Sequence, residues 1–326
     1  MHAPSIRDLI LCLLLCGVLT TSALLYYTNI YLNWSGASIA LPITIISSIA
    51  CPCIYNFQGN TWIAKTVNSL DCIGLILLSS LIGSISSYPL ASLSTGWMDD
   101  KFLFADAALG LNWAIYWKFV QSLPILNYSL DSAYTSFFFT PAILVVSLVF
   151  INKKNIAHQF ILSFIIALII TNIMSVYLPA KSAAAIFLPG DTPNLPAPGL
   201  LHIPIIEQLR NGSYNAVPVM NMAGLIAFPS FHAAASIIFM GAGWHIPWLR
   251  YPCLIVNTLM LLSTPIQGGH YFIETLGGVV VGSIAILFTR FLAENSSKAN
   301  YPPAAESPWI ENGACFPQRV FGYMRL

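Results

Sequence analysis

Long runs of apolar residues without charges recur along most of this chain. About 20 apolar residues suffice for a helix to cross the hydrocarbon core of a bilayer. The fold class we predict is therefore all-α, a polytopic transmembrane helical bundle of about eight spans, with a range of six to nine. The predicted spans cover residues 9–31, 36–57, 70–92, 130–151, 157–179, 218–243, 249–267 and 270–292.

Two stretches interrupt the apolar segments. Residues 99–125 interleave charged residues and tryptophans with apolar residues at helical spacing. This pattern is typical of a helix that lies in the membrane interface, and we predict such a helix near 106–121. Residues 180–217 are rich in proline and polar residues and form one long loop. Long loops in compact folds are usually lids, binding loops or disordered segments.

Composition excludes several classes of protein. Hydrophobic residues make up 57% of the 326 residues and charged residues only 8%, whereas soluble proteins carry about 25% charged residues. Such a chain has too few polar groups to cover the surface of a water-soluble domain. The 13 Lys and Arg residues against 12 Asp and Glu residues give a net charge of +1, which excludes nucleic acid as a partner.

Basic residues predict the orientation in the membrane, because cytoplasmic loops are enriched in Lys and Arg. With a cytoplasmic N-terminus, nine of the 13 basic residues lie inside and four outside. The four outside are Lys101, Lys118, Lys181 and Arg210. The C-terminus is then cytoplasmic as well, in a plasma or inner membrane. The apolar run at residues 9–31 is longer than the apolar core of a signal peptide, which favours a helix that is retained in the protein.

The seven cysteines fall mostly inside or beside apolar segments. This placement predicts small buried side chains rather than disulfides or metal ligands. The sequence also has no cluster of carboxylates suited to a divalent cation. We therefore predict no metal and no cofactor.

Two of the six histidines stand out by their context. His232 follows a proline and precedes a run of small residues, which places it in the opening turn of a membrane helix. Backbone N–H groups and the helix dipole favour an anion at such a position. His270 likewise opens an apolar segment. The remaining histidines are predicted to lie in the interface or in solvent: His2, His158, His202 and His245.

Glu274 lies four residues after His270, so the two side chains are expected on one helix face. A carboxylate that accepts from an imidazole fixes its tautomer and raises the basicity of the other nitrogen, as a nucleophilic histidine requires. An acidic residue within a span is costly and points to function. The predicted topology brings His232, His270 and Arg210 to one membrane face. The alternative is a pair of structural histidines bonded to helix ends.

These residues resemble the motifs of the type 2 phosphatidic acid phosphatase superfamily, and most closely its inositol-phosphorylceramide-synthase-like branch. A Pro-Ser-x-His element appears at residues 229–232. The element Ser-Arg, five residues, His, three residues, Asp appears at residues 263–274. Leu-Arg-x-Gly of the synthase-like branch resembles residues 209–212, and residues 106–113 look like its interfacial segment. The resemblance is specific over 200–285, weaker over 99–145 and absent from the first three spans.

The resemblance implies a metal-independent membrane phosphatase or phosphotransferase whose substrate is a lipid or lipid-linked phosphate. His270 would attack the phosphorus at the extracytoplasmic face, Glu274 would orient it, and His232 would protonate the departing alkoxide. The residues implied to bind phosphate oxygens are Arg210, Ser230 and Lys181. Residues 1–95 would form N-terminal spans, 96–293 the phosphatase- or phosphotransferase-like core, and 294–326 a cytoplasmic tail. Transfer of a phosphoinositol-type head group to a lipid acceptor is the form of the reaction in the synthase-like branch.

Departures from the motifs keep alternatives open. Thr264 stands where the family has Arg, Glu274 stands where it has Asp, and its Lys-x6-Arg-Pro element is not found. An inactive member of the family is therefore one alternative. The non-catalytic alternatives are a b-type haem protein with His232 and His270 as axial ligands, and an anion-binding transporter or scaffold. The sequence does not separate phosphatase from transferase, because pocket shape and water exclusion choose the acceptor.

Overall fold

The computed structural model describes residues 5–35, 61–188, 198–219, 222 and 224–300. The span predicted at 36–57 and most of the predicted tail lie outside these residues. The helices in chain order are α1 (Ile6–Tyr27), α2 (Trp62–Leu93), α3 (Asp99–Ala108), α4 (Trp113–Gln121), α5 (Pro124–Thr135), α6 (Thr140–Phe150), α7 (Lys154–Tyr177), α8 (Ala183–Phe187), α9 (Pro198–Asn211), α10 (Phe231–Gly243), α11 (Arg250–Gln267) and α12 (Phe272–Asn300).

The fold is a helical membrane bundle, as predicted. Four described helices are long and apolar enough to cross a bilayer: α1, α2, α7 and residues Phe272–Asn295 of α12. A fifth crossing results if Pro124–Phe138 and Thr140–Phe150, which are bent by 59° at their junction, count as one broken span. The only described strands, β1 (Tyr31–Asn33) and β2 (Ala216–Pro218), form one short parallel pair. The count of eight spans stays a prediction.

Three predicted elements differ from the structure. The stretch 180–217, predicted to be one long loop, contains α8, α9 and the start of β2 in its described part. The span predicted at 218–243 is helical only from Phe231, because the segment before Ser230 runs without helix and lines a cavity. The single interfacial helix predicted near 106–121 is two helices, α3 and α4. The chain turns between them at Gly110, whose φ of +71° lies in the left-handed region that glycine adopts without strain.

Helix α10 lies at the centre of the bundle and packs against α7, α11 and α12. Its small residues let the helices approach closely, since Ala233, Ala234 and Ala235 are fully buried. Helices α10 and α12 pack closely at Gly278 and Gly282 of α12, because both glycines face the α10 backbone. A Cβ added at Gly282 would lie 2.5 Å from the carbonyl oxygen of Ala234.

Several basic residues lie together at one end of the bundle. Lys65 Nζ donates to the carbonyl of Phe150 at 2.8 Å, and Lys153 Nζ donates to the carbonyl of His245 at 3.0 Å. Arg7 forms a buried ion pair with Asp71 (2.8 Å). Helix α7 starts at this end and runs to the other end, where Lys181 and Arg210 both lie near the ring of Trp97. These contacts place Arg7, Lys65 and Lys153 at one end of the bundle and Lys181 and Arg210 at the other, and the orientation in the membrane stays a prediction.

Candidate functional site

A cavity of about 820 Å³ lies between helices α2, α5, α7 and α10 and the loop before α12. Apolar side chains line one part of it, among them Ile73 and Leu77 of α2 and Leu168 of α7. The lining also carries titratable groups, namely Asp131, Tyr134, His202, His232, His270 and Glu274. Within the described residues, no Lys or Arg lines this cavity.

His270 and Glu274 make the predicted contact. Nδ1 of His270 lies 3.0 Å from Oε2 of Glu274, and the same oxygen accepts the backbone N–H of Tyr271 at 2.9 Å. Because a carboxylate only accepts, Nδ1 carries the proton and Nε2 of His270 keeps its lone pair. The expectation of a shared helix face is wrong, since α12 begins at Phe272 and His270 precedes it. Glu274, in the first turn, reaches back instead.

Two glycines shape the chain before His270. Gly269 has a φ of +68°, a conformation that side chains rarely allow. A Cβ on Gly268 would lie 2.6 Å from Cδ2 of the His270 ring. The carbonyl of Gly269 accepts the backbone N–H of Ala183 at 2.8 Å, which ties this turn to the start of α8. The absence of a side chain at Gly268 therefore leaves room for the His270 ring close to this turn.

His232 lies in the first turn of α10, as the sequence predicts. Ser230 is the N-cap of this helix, and its side chain accepts the backbone N–H of Ala233. The His232 ring stacks on Tyr134, with ring centroids 4.2 Å apart, and packs at a tilt against Phe137, with ring centroids 4.3 Å apart. Its Nε2 is buried and has no hydrogen-bond partner among the described residues. The aromatic rings thus hold the imidazole while one of its nitrogens stays available.

One backbone contact joins the two motifs. The N–H of Ser230 donates to the carbonyl of Glu274 at 3.0 Å, so the start of α10 lies against the first turn of α12. Gly278, one turn further along α12, leaves room for the Ser230 carbonyl. His232 and His270 therefore reach one cavity from two helix N-termini.

Helix α3 supplies two carboxylates that the sequence reasoning did not place at the site. Asp106 accepts the N–H groups of Phe272 and Ile273 at 2.9 and 2.8 Å, and so caps α12 from another helix. Asp99 accepts the Tyr271 hydroxyl at 2.8 Å. Burial raises the pKa of Asp106, and its two N–H donors partly oppose that effect. The available signal is the presence of acidic residues within a predicted interfacial helix, which does not by itself show what they contact.

The three residues predicted to bind phosphate do not line the cavity. The Arg210 guanidinium lies 4.3 Å from the Trp97 ring centroid and donates to the Ser94 hydroxyl at 2.8 Å. Lys181 Nζ lies 5.7 Å from the same ring. Ser230 is fully buried and acts as the helix cap. Direct contact of these side chains with a phosphate in the cavity would require Arg210 and Lys181 to leave Trp97.

Two histidines predicted to lie in the interface or in solvent are buried, so that expectation is wrong for both. His158 is 5% exposed and lies near Asp71. His202 is 6% exposed and lines the cavity. Its Nε2 donates to the carbonyl of Ala180 at 3.1 Å, and burial lowers its pKa. No sequence signal indicates this placement, because His202 lies in the proline-rich stretch outside both motifs.

A second cavity of about 320 Å³ adjoins the first and shares Asp131 and Gln267 with it. Its polar lining includes Gln121 and Asn127. The Gln267 amide donates to Oδ1 of Asn127 at 3.2 Å. A polar molecule would therefore find hydrogen-bonding groups on the approach to the turn that carries His270.

One group of possible metal ligands lies away from the cavity. Side-chain ligand atoms of Asp71, Cys72 and His158 come within 4.8 Å of one another. However, both carboxylate oxygens of Asp71 accept from the Arg7 guanidinium, at 3.0 and 2.8 Å. A metal ion there would compete with a cation already bonded to its carboxylate ligand. The arrangement fits a buried ion pair better than a metal centre.

Comparison with known proteins agrees with the motifs. The family model described as the PAP2 superfamily matches residues 100–288, which is more than half of the chain and includes the cavity histidines. No curated protein and no solved structure matches the chain. The matched range begins in α3, whose carboxylates hold the start of α12, and ends in α12 itself. The chain therefore belongs to the PAP2 superfamily, whose members are generally phosphatases.

Proposed function

We propose that this protein transfers the phosphate group of a membrane lipid phosphate through a covalent intermediate on His270, at the extracytoplasmic face. The main observation that supports this proposal is the contact of His270 Nδ1 with Oε2 of Glu274 at 3.0 Å, beside a cavity that His232 also lines. Glu274 holds the tautomer in which Nε2 of His270 is the nucleophile.

The reaction has two steps. In the first, the Nε2 lone pair of His270 bonds to phosphorus while the bond from phosphorus to the lipid oxygen breaks. His232, whose Nε2 has no other partner among the described residues, gives its proton to the departing oxygen. In the second step, water or an alcohol attacks the phosphohistidine and loses its proton to His232. The phosphorus–nitrogen bond then breaks, and both histidines return to their starting states.

Helix α10 supplies the anion-binding part of the proposal. The first N–H groups of a helix have no intrahelical acceptor, and the dipole makes this end attractive to phosphate. Ser230 contributes by capping the helix, so that the N–H groups of Phe231 and His232 face outward from an ordered first turn. Arg210 and Lys181 would contribute by attracting the anion toward the site, since both lie at the same end of the bundle as His202.

The two cavities suggest how the substrates are divided. Ile73, Ile76 and Leu77 of α2 and Leu168 of α7 give the larger cavity an apolar part that suits lipid chains, and the same cavity is lined by the histidines. The smaller polar cavity reaches the same turn through Gln267, which suits water or a hydroxyl-bearing acceptor. This division supports transfer to an alcohol as well as hydrolysis. Transfer of a phosphoinositol head group to a lipid acceptor, as in the synthase-like branch, is the specific form that we propose to test.

Phosphoenzyme trapping tests the function directly. Purified protein in lipid nanodiscs is mixed with phosphate-labelled phosphatidic acid, isoprenyl diphosphate, or phosphatidylinositol with a lipid acceptor, and then quenched at alkaline pH. We expect an acid-labile labelled protein from the wild type and none from His270→Gln, because the nucleophile is absent. His245→Gln, a half-buried histidine in the turn between α10 and α11, is the matched control and should label normally.

The outcome that contradicts the proposal is background labelling and background turnover of the wild type on all three substrates. Equal turnover by wild type and His270→Gln contradicts it as well. The products separate the two forms of the reaction, because hydrolysis releases inorganic phosphate or a soluble phosphate ester, whereas transfer gives a second phospholipid.

A further inference from the structure

We propose that His202 is a third phosphate-binding histidine of the cavity, and that it takes up a proton when a phosphate group enters. This inference rests on the proposed function, because it concerns the same cavity. It adds a residue outside both motifs, on a helix of the long loop between α7 and α10. The observation that supports the inference is the position of His202 beside His270 and Glu274. The described residues that line this cavity include no Lys or Arg.

Helix α9 is anchored on the turn that carries His270. A Cβ on Gly199 would lie 2.9 Å from the carbonyl oxygen of Gly268 and 2.9 Å from Cα of Gly269. His202 lies about one helical turn after Gly199, lines the cavity and is only 6% exposed. The backbone contact at Gly199 thus fixes the depth at which α9 presents His202 to the cavity.

The charge of a bound phosphate requires a further basic group. A buried anion is costly unless charged or hydrogen-bonding partners replace water. The family's Arg position is occupied by Thr264, which is fully buried and donates its hydroxyl to the Met260 carbonyl. Of the lining histidines, His270 must be uncharged to attack, and His232 is assigned the proton for the leaving group. His202 is the remaining basic side chain on the described wall of the cavity.

The hydrogen bonding of His202 decides which nitrogen takes the proton. Its Nε2 must carry a hydrogen to donate to the Ala180 carbonyl, so protonation occurs at Nδ1. The charged and titratable groups around it are His270 and Glu274 at the start of α12, Asp131 of α5 across the cavity, and Lys181 beside Ala180. Burial keeps the pKa of His202 low in the empty cavity, and a bound anion raises it.

The direction of the pH effect follows from this linkage. If His202 is neutral in the empty protein and charged with phosphate bound, phosphate binding consumes a proton. From about pH 8 to about pH 6, affinity for phosphate is then expected to rise more steeply in the wild type than in a protein whose residue 202 does not ionise, because the titration of phosphate itself is common to both. Inorganic phosphate is a suitable probe, because it carries the charged group without the lipid.

The test is isothermal titration of inorganic phosphate into the full chain in nanodiscs, in two buffers that differ in ionisation enthalpy. His202→Gln keeps an N–H donor for the Ala180 carbonyl but does not ionise, so it preserves the local bond. We expect binding at about pH 6 to weaken roughly ten- to a hundredfold, as for loss of one charge-assisted hydrogen bond. We also expect proton uptake per bound phosphate to fall by about one. His245→Gln should bind as the wild type does.

Equal affinity and equal proton uptake in wild type and His202→Gln would overturn the inference. A wild type that binds no phosphate across this pH range would overturn it too. Failure of the proposed function has a different signature, namely the absence of a phosphoenzyme from the wild type. A protein that forms the phosphoenzyme but binds phosphate independently of His202 therefore rejects only this inference.

Discussion

At the scale of single residues, the site depends on one buried carboxylate. Oε2 of Glu274 accepts from both the His270 ring and the Tyr271 backbone, and the residue is fully buried. The acceptor is one methylene longer than the family's Asp, and the turn before α12 accommodates the extra length. Glu274 therefore keeps the contact with the His270 ring that the proposed nucleophile requires.

Two substitutions of Glu274 should distinguish the effect of its charge on turnover from the effect of its side-chain length. Glu274→Gln keeps the shape but removes the charge that favours the reactive tautomer, and we expect kcat to fall by about 10³- to 10⁴-fold. Glu274→Asp restores the family's residue but withdraws the oxygens by about 1 Å, which we expect to cost roughly a hundredfold. Steady-state turnover of the lipid phosphate measures both. The matched control is Glu294→Gln, at an exposed position near the end of α12. Full activity of Glu274→Asp would show that the extra length is not needed.

At the scale of elements, the site exists because helices α10 and α12 approach at the backbone. Gly278 faces the Ser230 carbonyl and the Cβ of Ala233, and Gly282 faces Ala234. This spacing places the first turns of the two helices in contact, with the two motif histidines at their ends. Side chains at the glycines would separate the helices and with them His232 from His270.

Enlarging Gly278 should therefore damage both stability and activity. Gly278→Ala forces a Cβ against the α10 backbone, and we expect a loss of about 1–3 kcal/mol in the free energy of unfolding, together with lower turnover. Thermal unfolding in nanodiscs measures the first effect. Gly241→Ala is the matched control, because its Cβ would meet only the end of the Ile286 side chain, at 3.1 Å. A Gly278→Ala protein as stable and active as the control would contradict the close-packing explanation.

At the scale of the whole molecule, the basic residues divide between the two ends of the bundle. Lys65 and Lys153 donate to carbonyls at one end, whereas Lys181 and Arg210 lie near Trp97 at the other, where His202 and the cavity also lie. The sequence predicts that Lys65 and Lys153 are cytoplasmic and that Lys181 and Arg210 are extracytoplasmic. The proposed extracytoplasmic site depends on this assignment.

Labelling with a membrane-impermeant thiol reagent tests the orientation. In a background without the seven native cysteines, Ser213→Cys should react in intact cells, since it is exposed and follows α9. Glu294→Cys should react only after permeabilisation, since the C-terminal end of α12 lies at the basic end. The reverse pattern of labelling would place the cavity at the cytoplasmic face and overturn that part of the proposal.

The sequence by itself determined the features that depend on residues close to one another along the chain. Apolar run length specifies membrane helices, because backbone groups in lipid must bond within the segment. A proline followed by small residues placed His232 in a first turn, and a spacing of four residues was enough to bring Glu274 to His270, although through a cap rather than a shared helix face.

Only the tertiary structure decided which distant groups complete the site. Asp106 caps α12 across 166 positions of sequence, and Asp99 reaches Tyr271 across 172. Arg210 packs on Trp97 and does not line the cavity. His202 lies outside both motifs, yet it is buried and lines the cavity. Such contacts depend on how the helices pack. The type of a residue and its position along the chain do not show which distant residue it will contact after packing.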